Sequence, residues 1–165
     1  MTPMTGDDFE RVLREYGPAL RRLASSWERD AAAREDLLQE ILFALWRALS
    51  NFRGHSSEKT FVFRVAHNRA LTHRFRPRAE NDPLDEAMHV ADPRPSPEAA
   101  AGSAQKLEQL MRALQQLPVP LRQVLTLSLE GLSRPELADV LGITENNAAV
   151  RLSRARKALQ EEMNR

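Results

Sequence analysis

Gly131-Leu132-Ser133-Arg134-Pro135-Glu136-Leu137-Ala138-Asp139-Val140-Leu141-Gly142-Ile143-Thr144 is the stretch whose reading decides the fold. Ser133 followed by Glu136 is a capping box: the hydroxyl takes an amide of the first turn and the carboxylate reaches back to the cap. Pro135 falls in that first turn, where a missing N–H is tolerated. Leu137, Val140 and Leu141 make an apolar side, and Gly142 permits a tight turn. Thr144 caps the next helix, which runs from Glu145 to about Met163. A short capped helix, a glycine turn and a longer basic helix predict a helix-turn-helix. On the long helix Ala148, Leu152, Ala155 and Leu159 form the buried stripe. Asn146, Val150, Ser153, Arg154 and Lys157 share the opposite face, flanked by Asn147 and Ala149. That face offers amides to base edges, cations to phosphates and apolar groups to thymine methyls. The plainer alternative is a solvated face on a core helix.

Working outward, Gly131 ends the preceding helix at a C′ position. Pro118-Val119-Pro120 separates a helix at about 120–130 from one at about 105–116. Further upstream the character changes. Pro77, Pro83, Pro93, Pro95 and Pro97 interrupt the backbone, and Glu80, Asp82, Asp85, Glu86, Asp92 and Glu98 face only Arg94. The small-residue run Ala99–Ala101 follows. Proline opposes helix, and so few large apolar side chains cannot build a core. The reading is an acidic, flexible linker over 79–103 between an N-terminal domain (5–78) and a C-terminal one (104–165). Elsewhere apolar residues recur at helical spacing, so the fold class is all-α: two small helical domains.

In the N-terminal domain, a helix from about Arg34 to Leu49 carries Leu37, Leu38, Ile41, Leu42, Leu45 and Leu49 on one broad arc. Its other side presents Asp36, Gln39, Glu40 and Arg47 with Phe43 among them. A large aromatic amid polar groups marks a protein-binding surface; the alternative is that Phe43 packs on a neighbouring helix. Asn51-Phe52-Arg53-Gly54-His55-Ser56-Ser57 is a polar loop, and a helix begins near Thr60. This helix has Phe61, Phe63, Val65 and Ala66 on an apolar side, with Arg64, Asn68, Arg69, His73, Arg74 and Arg76 elsewhere. Lys59 to Ala79 contains no acidic residue. Cations interleaved with aromatics suit single-stranded nucleic acid, where phosphates meet charge and unstacked bases meet rings or amides.

Bulk composition adds exclusions. The 165 residues carry 24 Lys and Arg against 23 Asp and Glu, for a net charge of +1. The segregation of charge therefore says more than its sum. With no cysteine, disulfides and thiolate metal sites are excluded. No stretch approaches the roughly 20 apolar residues of a membrane span, and Asp7, Asp8 and Glu10 make a poor signal peptide. A soluble, cytoplasmic protein without membrane insertion is expected. His67 and His73 are not side by side on a helix, and no phosphate-binding glycine loop occurs. Neither catalysis, a metal site nor a cofactor is expected.

Taken together, these segments resemble the extracytoplasmic-function (ECF) sigma factors of the sigma-70 family, which retain regions 2 and 4 only. The N-terminal likeness runs through Glu35-Asp36-Leu37-Leu38-Gln39-Glu40, Leu45-Trp46-Arg47-Ala48-Leu49, Phe52-Arg53-Gly54 and Thr60-Phe61-Val62-Phe63-Arg64-Val65-Ala66-His67-Asn68. The C-terminal likeness runs through Leu117-Pro118-Val119-Pro120-Leu121-Arg122-Gln123-Val124, Gly131-Leu132-Ser133-Arg134-Pro135-Glu136-Leu137-Ala138 and Arg151-Leu152-Ser153-Arg154-Ala155-Arg156. The resemblance implies a subunit that recruits core RNA polymerase to −35 and −10 promoter elements and helps melt the −10 region. By it, Asp36, Gln39, Glu40, Phe43 and Arg47 grip the polymerase clamp. Phe52, Arg53, His55, Ser56, Thr60, Arg64, Asn68 and Arg69 hold the single-stranded −10 element, with His73 and Arg74 on the same basic surface. Arg134, Glu136, Asn146, Asn147, Ala149, Val150, Ser153, Arg154 and Lys157 meet the −35 duplex. An anti-sigma factor is the further partner it implies. Phe61 stands where the family usually has Trp, His67 replaces a frequent Arg, and Asn147-Ala148-Ala149-Val150 lacks a lysine common there. The competing reading is a helix-turn-helix regulator that acts without polymerase.

Overall fold

A computed structural model describes residues 5–75 and 98–165. Its helices are α1 (Gly6–Trp27), α2 (Ala31–Leu49), α3 (Glu58–Arg74), α4 (Glu98–Gln116), α5 (Val119–Leu129), α6 (Arg134–Leu141) and α7 (Glu145–Met163); no strand occurs among the described residues. Short polar caps set most of the boundaries. The Asp30 carboxylate accepts from the Ala33 amide at 2.9 Å, and Ser57 Oγ from the Thr60 amide at 3.1 Å. Thr144 Oγ1 accepts from the Asn147 amide at 3.0 Å. Each satisfies a donor that the first helical turn leaves unpaired.

The first three helices enclose one core, built on Val12, Leu20, Leu37, Ile41, Leu45 and Val62. Helices α4 to α7 enclose a second, built on Leu114, Val124, Leu127, Leu137 and Ala148. The cores meet. Ala19 of α1 and Phe63 of α3 are buried within the second cluster, and the Tyr16 ring stands edge-on to Phe63 with centroids 6.1 Å apart. Arg122, 5% exposed, carries its guanidinium between the domains, 5.1 Å over the Trp27 ring. It donates to the carbonyls of Leu114, Gln115 and Leu117 at 2.7–3.1 Å, closing the C-terminal end of α4. Burial, with the nearby Arg74 charge, lowers its pKa from the usual arginine value.

Two features depart from the sequence reading. The linker was expected to run to 103, yet α4 begins at Glu98. Ala99, Ala100 and Ala101 have the highest helix propensity of any residue, so helix can form there without large apolar side chains. The remaining linker positions from 79 to 97, with Arg76, lie outside the described residues. The second departure is α1, which local pattern did not announce. It continues through Gly17-Pro18, where proline removes one backbone donor from the helix. Buried Val12, Leu20, Leu23 and Trp27, distributed on both sides of that break, outweigh the local cost.

Candidate nucleic-acid interface

The helix-turn-helix is assembled by its caps. Ser133 N–H donates to Glu136 Oε2 at 2.7 Å, and Glu136 N–H donates back to Ser133 Oγ at 3.4 Å. Gly142 ends α6 in the left-handed region at φ 66°, which a side chain would strain. Ala148, Leu152 and Ala155 face inward on α7, leaving Asn146, Asn147, Val150, Ser153, Arg154 and Lys157 exposed and Ala149 half-buried. Asn147 Oδ1 accepts from Arg151 Nε at 3.1 Å, which fixes the orientation of that amide on the helix. On α6 Arg134 is exposed. Glu136 is engaged: besides the cap, it lies 3.6 Å from Lys59 Nζ of α3. The Ser133 amide, and then the Lys59 charge, hold its carboxyl below the usual range.

In the N-terminal domain the polar loop turns at Gly54 (φ 75°), which carries Arg53 and His55 outward and leaves Ser56 half-buried. Phe52 packs on Phe61, ring centroids 4.7 Å apart, so the loop is anchored through an aromatic pair. Thr60 is buried, its hydroxyl accepting from Ser57 Oγ at 2.9 Å. Asn68 and Arg74 are exposed. Arg64 donates to the Asp139 carbonyl of α6 at 2.8 Å, and Arg69 Nε stands 3.7 Å from Glu40 Oε2. His73 sits between two carboxylates, Nε2 at 2.8 Å from Glu28 and Nδ1 at 3.1 Å from Glu40. His67 is fully enclosed, and burial pushes its pKa down to about 3. It is a core residue, remote from phosphate chemistry.

Asp36, Gln39, Phe43 and Arg47 line one exposed face of α2, with Glu40 half-buried beside them. Phe43 is 63% exposed, and the Arg47 guanidinium stands 5.8 Å over its ring. Sequence reasoning passed over Trp46, which is 52% exposed on the flank of the same face. Phe9 of α1 meets it edge-on at 5.1 Å, and the two border an open depression of about 350 Å³ reaching Arg47 and Asn51. The signal for Trp46 was available, since it lies one helical turn from Phe43; that for Phe9 depended on reading α1.

The arrangement is thus that of a two-domain helical protein, with an aromatic-polar face and a basic helix on one domain and a helix-turn-helix on the other. Residues 12–79 match the family model of sigma-70 region 2 and residues 107–159 that of sigma-70, region 4. The chain belongs to the sigma-70 family of RNA polymerase sigma factors, in its ECF group. It is 32% identical over 163 residues to the RNA polymerase sigma-H factor of Pseudomonas aeruginosa, an alignment covering 93% of this chain and 84% of that protein. It is 29% identical over 153 residues to the ECF sigma factor SigM of Mycobacterium tuberculosis, covering 92% and 74%. In fold it is similar to CnrH in complex with the cytosolic domain of CnrY (TM-score 0.71, 23% identity, 97% and 90% covered). It is likewise similar to the RpoE–NepR complex of Bartonella quintana (TM-score 0.66, 22% identity, 95% and 97% covered). The chain directs promoter-specific transcription initiation, as a partner of core polymerase and promoter DNA. Among the described residues no helix is long and apolar enough to cross a membrane.

Proposed function

We propose that three surfaces divide the work of initiation. The α2 face of Asp36, Gln39, Glu40, Phe43 and Arg47 takes the polymerase clamp, with Trp46 at its edge. The Phe52–Ser56 loop and the exposed side of α3 take the opened −10 strand. The outer face of α7, with Arg134, takes the −35 groove. Thr60 and His73 serve this scheme indirectly: one is engaged in the cap of α3, the other ties α3 to α1 and α2. The observation that carries the reading is Phe43, a large ring left in water within a row of polar side chains. The domain bounds that go with it are 5–78 and, moved from 104 to take in the whole of α4, 98–165.

Each contact is modest alone. Held on one polymerase they act bivalently, so neither domain needs tight DNA binding of its own. Capture of unpaired bases offsets the few kcal/mol per step that unstacking costs. The chain supplies no chemistry; polymerase does. The protein acts in the cytoplasm, where its polymerase and promoter are. An anti-sigma factor as a further partner is supported by the two solved relatives, CnrH and RpoE, each held by another protein.

Run-off transcription with core polymerase on a random promoter library tests the reading and returns the −35 and −10 sequences together. Transcripts that depend on the chain are expected. Failure to bind core polymerase while duplex DNA binding persists would sink it.

A further inference from the structure

The two DNA-directed domains are fastened to each other. Arg22 of α1 makes a two-pronged contact with Glu130 at the end of α5: Nε to Oε1 at 2.6 Å and Nη2 to Oε2 at 2.8 Å. Near it, Arg29 Nε donates to Gln115 Oε1 at 2.7 Å, and Gln115 Nε2 donates to the Ser25 carbonyl at 2.8 Å. Phe63 and Ala19 fill the seam with apolar contact. The consequence falls on the DNA-directed helices themselves. Helix α6 lies on α3, where Arg64 donates to the Asp139 carbonyl at 2.8 Å and Lys59 pairs with Glu136 at 3.6 Å. Arg64 belongs to the proposed −10 surface, Glu136 to the −35 reader. Arg64 is thus taken up by the Asp139 carbonyl of α6, and Glu136 by Lys59 of α3.

This closed arrangement and promoter binding exclude one another on size. A compact chain of 165 residues has a radius of gyration of about 15 Å, hence a width of about 40 Å. Elements centred about 25 base pairs apart lie roughly 85 Å apart at ~3.4 Å per base pair. The domains must separate before both can engage one duplex.

We propose that the free chain is held closed by its own interdomain seam, with α6 as the intramolecular occupant of the α3 face and Arg22–Glu130 as its principal charged fastening. The occlusion part rests on the surface assignments above; closure itself does not. When only a fraction of molecules is open, apparent DNA affinity falls by that fraction. Releasing the fastening therefore tightens DNA binding by the free chain without touching any DNA contact.

The test uses the full chain and three variants: Arg22→Glu, Glu130→Arg and the double exchange. Small-angle scattering reads closure, and a fluorescent duplex of random sequence reads affinity at fixed salt. Wild type is expected near the compact radius of about 15 Å. Each single reversal sets like charges face to face, so the radius should rise and affinity should tighten by about two- to tenfold. The double exchange should restore both values. A wild-type radius already near that of two separated domains, above about 20 Å, overturns the proposal. So does a double exchange that fails to reverse the singles, including the case where a single variant loses helix content. Scattering requires neither polymerase nor promoter. A closed chain that failed to bind core polymerase would refute the sigma-factor surfaces and leave the fastening standing.

Discussion

Glu40, on the face of α2 assigned to polymerase, shares its carboxylate with His73 of α3: Oε2 lies 3.1 Å from Nδ1. The other ring nitrogen reaches Glu28, just beyond the end of α1, at 2.8 Å. Both ring nitrogens are thus engaged by carboxylate oxygens from two other elements. Three helices are thereby pinned at one point, and the polymerase face is joined to the basic helix behind it.

Replacing that ring tests the joint. His73→Leu removes a shared ring contact from two largely buried carboxylates, which should cost about 1–3 kcal/mol of stability. Urea denaturation reads it. Affinity for core polymerase should fall in the same variant, because Glu40 loses a group that orients it. An unchanged denaturation midpoint would dissolve the joint.

Phe43→Ala separates binding from folding. The ring is 63% exposed, so stability should change by no more than about 0.5 kcal/mol. Core polymerase affinity should fall by about tenfold or more if the ring is an anchor. Titration of labelled variant with core polymerase measures it, and unaltered affinity would remove α2 from the polymerase interface.

Arg122 presents a different case. Its fork serves three carbonyls at the end of α4 and covers Trp27. Arg122→Ala leaves those acceptors in a buried site and should cost about 3 kcal/mol. Arg122→Lys should recover little, since a single ammonium cannot reproduce the planar fork. Thermal and chemical denaturation of both variants would show whether the lysine rescues.

The buried His67 sets an acid limb on stability. Its pKa is pushed from 6.5 down to about 3 by burial. The unfolded chain therefore takes up this proton near pH 6.5, while the folded chain refuses it until about pH 3. Between those values the unfolded state binds more protons, so stability is complete above the upper value and falls with falling pH. The slope from this group is about 1.4 kcal/mol per pH unit, or about 2 kcal/mol between pH 7 and pH 5. His67→Leu should flatten that limb by this amount in denaturation curves. A limb equally steep in the variant would assign the acid sensitivity elsewhere.

Local chemistry made the C-terminal half legible. The Ser133–Glu136 box, the Gly142 turn, the Thr144 cap and the inward row Ala148–Leu152–Ala155 are short-range patterns, and each sits where its spacing placed it. The N-terminal half was legible only where the pattern was dense, as along α2. Helix α1 was hidden by Gly17-Pro18, because a breaker signal is local whereas the burial that overrides it is tertiary. The same limit explains Thr60 and His73. Their residue types suit DNA, but burial and carboxylate partners from other elements decide what their polar atoms meet. Contacts such as Arg22–Glu130, separated by 108 residues, leave no periodic trace in a sequence at all.

The ion pairs between the domains also bear on how the free chain responds to ionic strength. Salt shortens the screening length to about 8 Å at physiological strength and weakens partly exposed pairs such as Lys59–Glu136 and the Arg22 contact. Added salt also erodes the counterion-release gain of binding phosphates. For this chain the two effects oppose: the electrolyte that loosens its hold on DNA also frees the domains to reach it. The slope of log affinity against log salt for the isolated chain should accordingly be shallower than its number of phosphate contacts implies. It should steepen once the domains are parted.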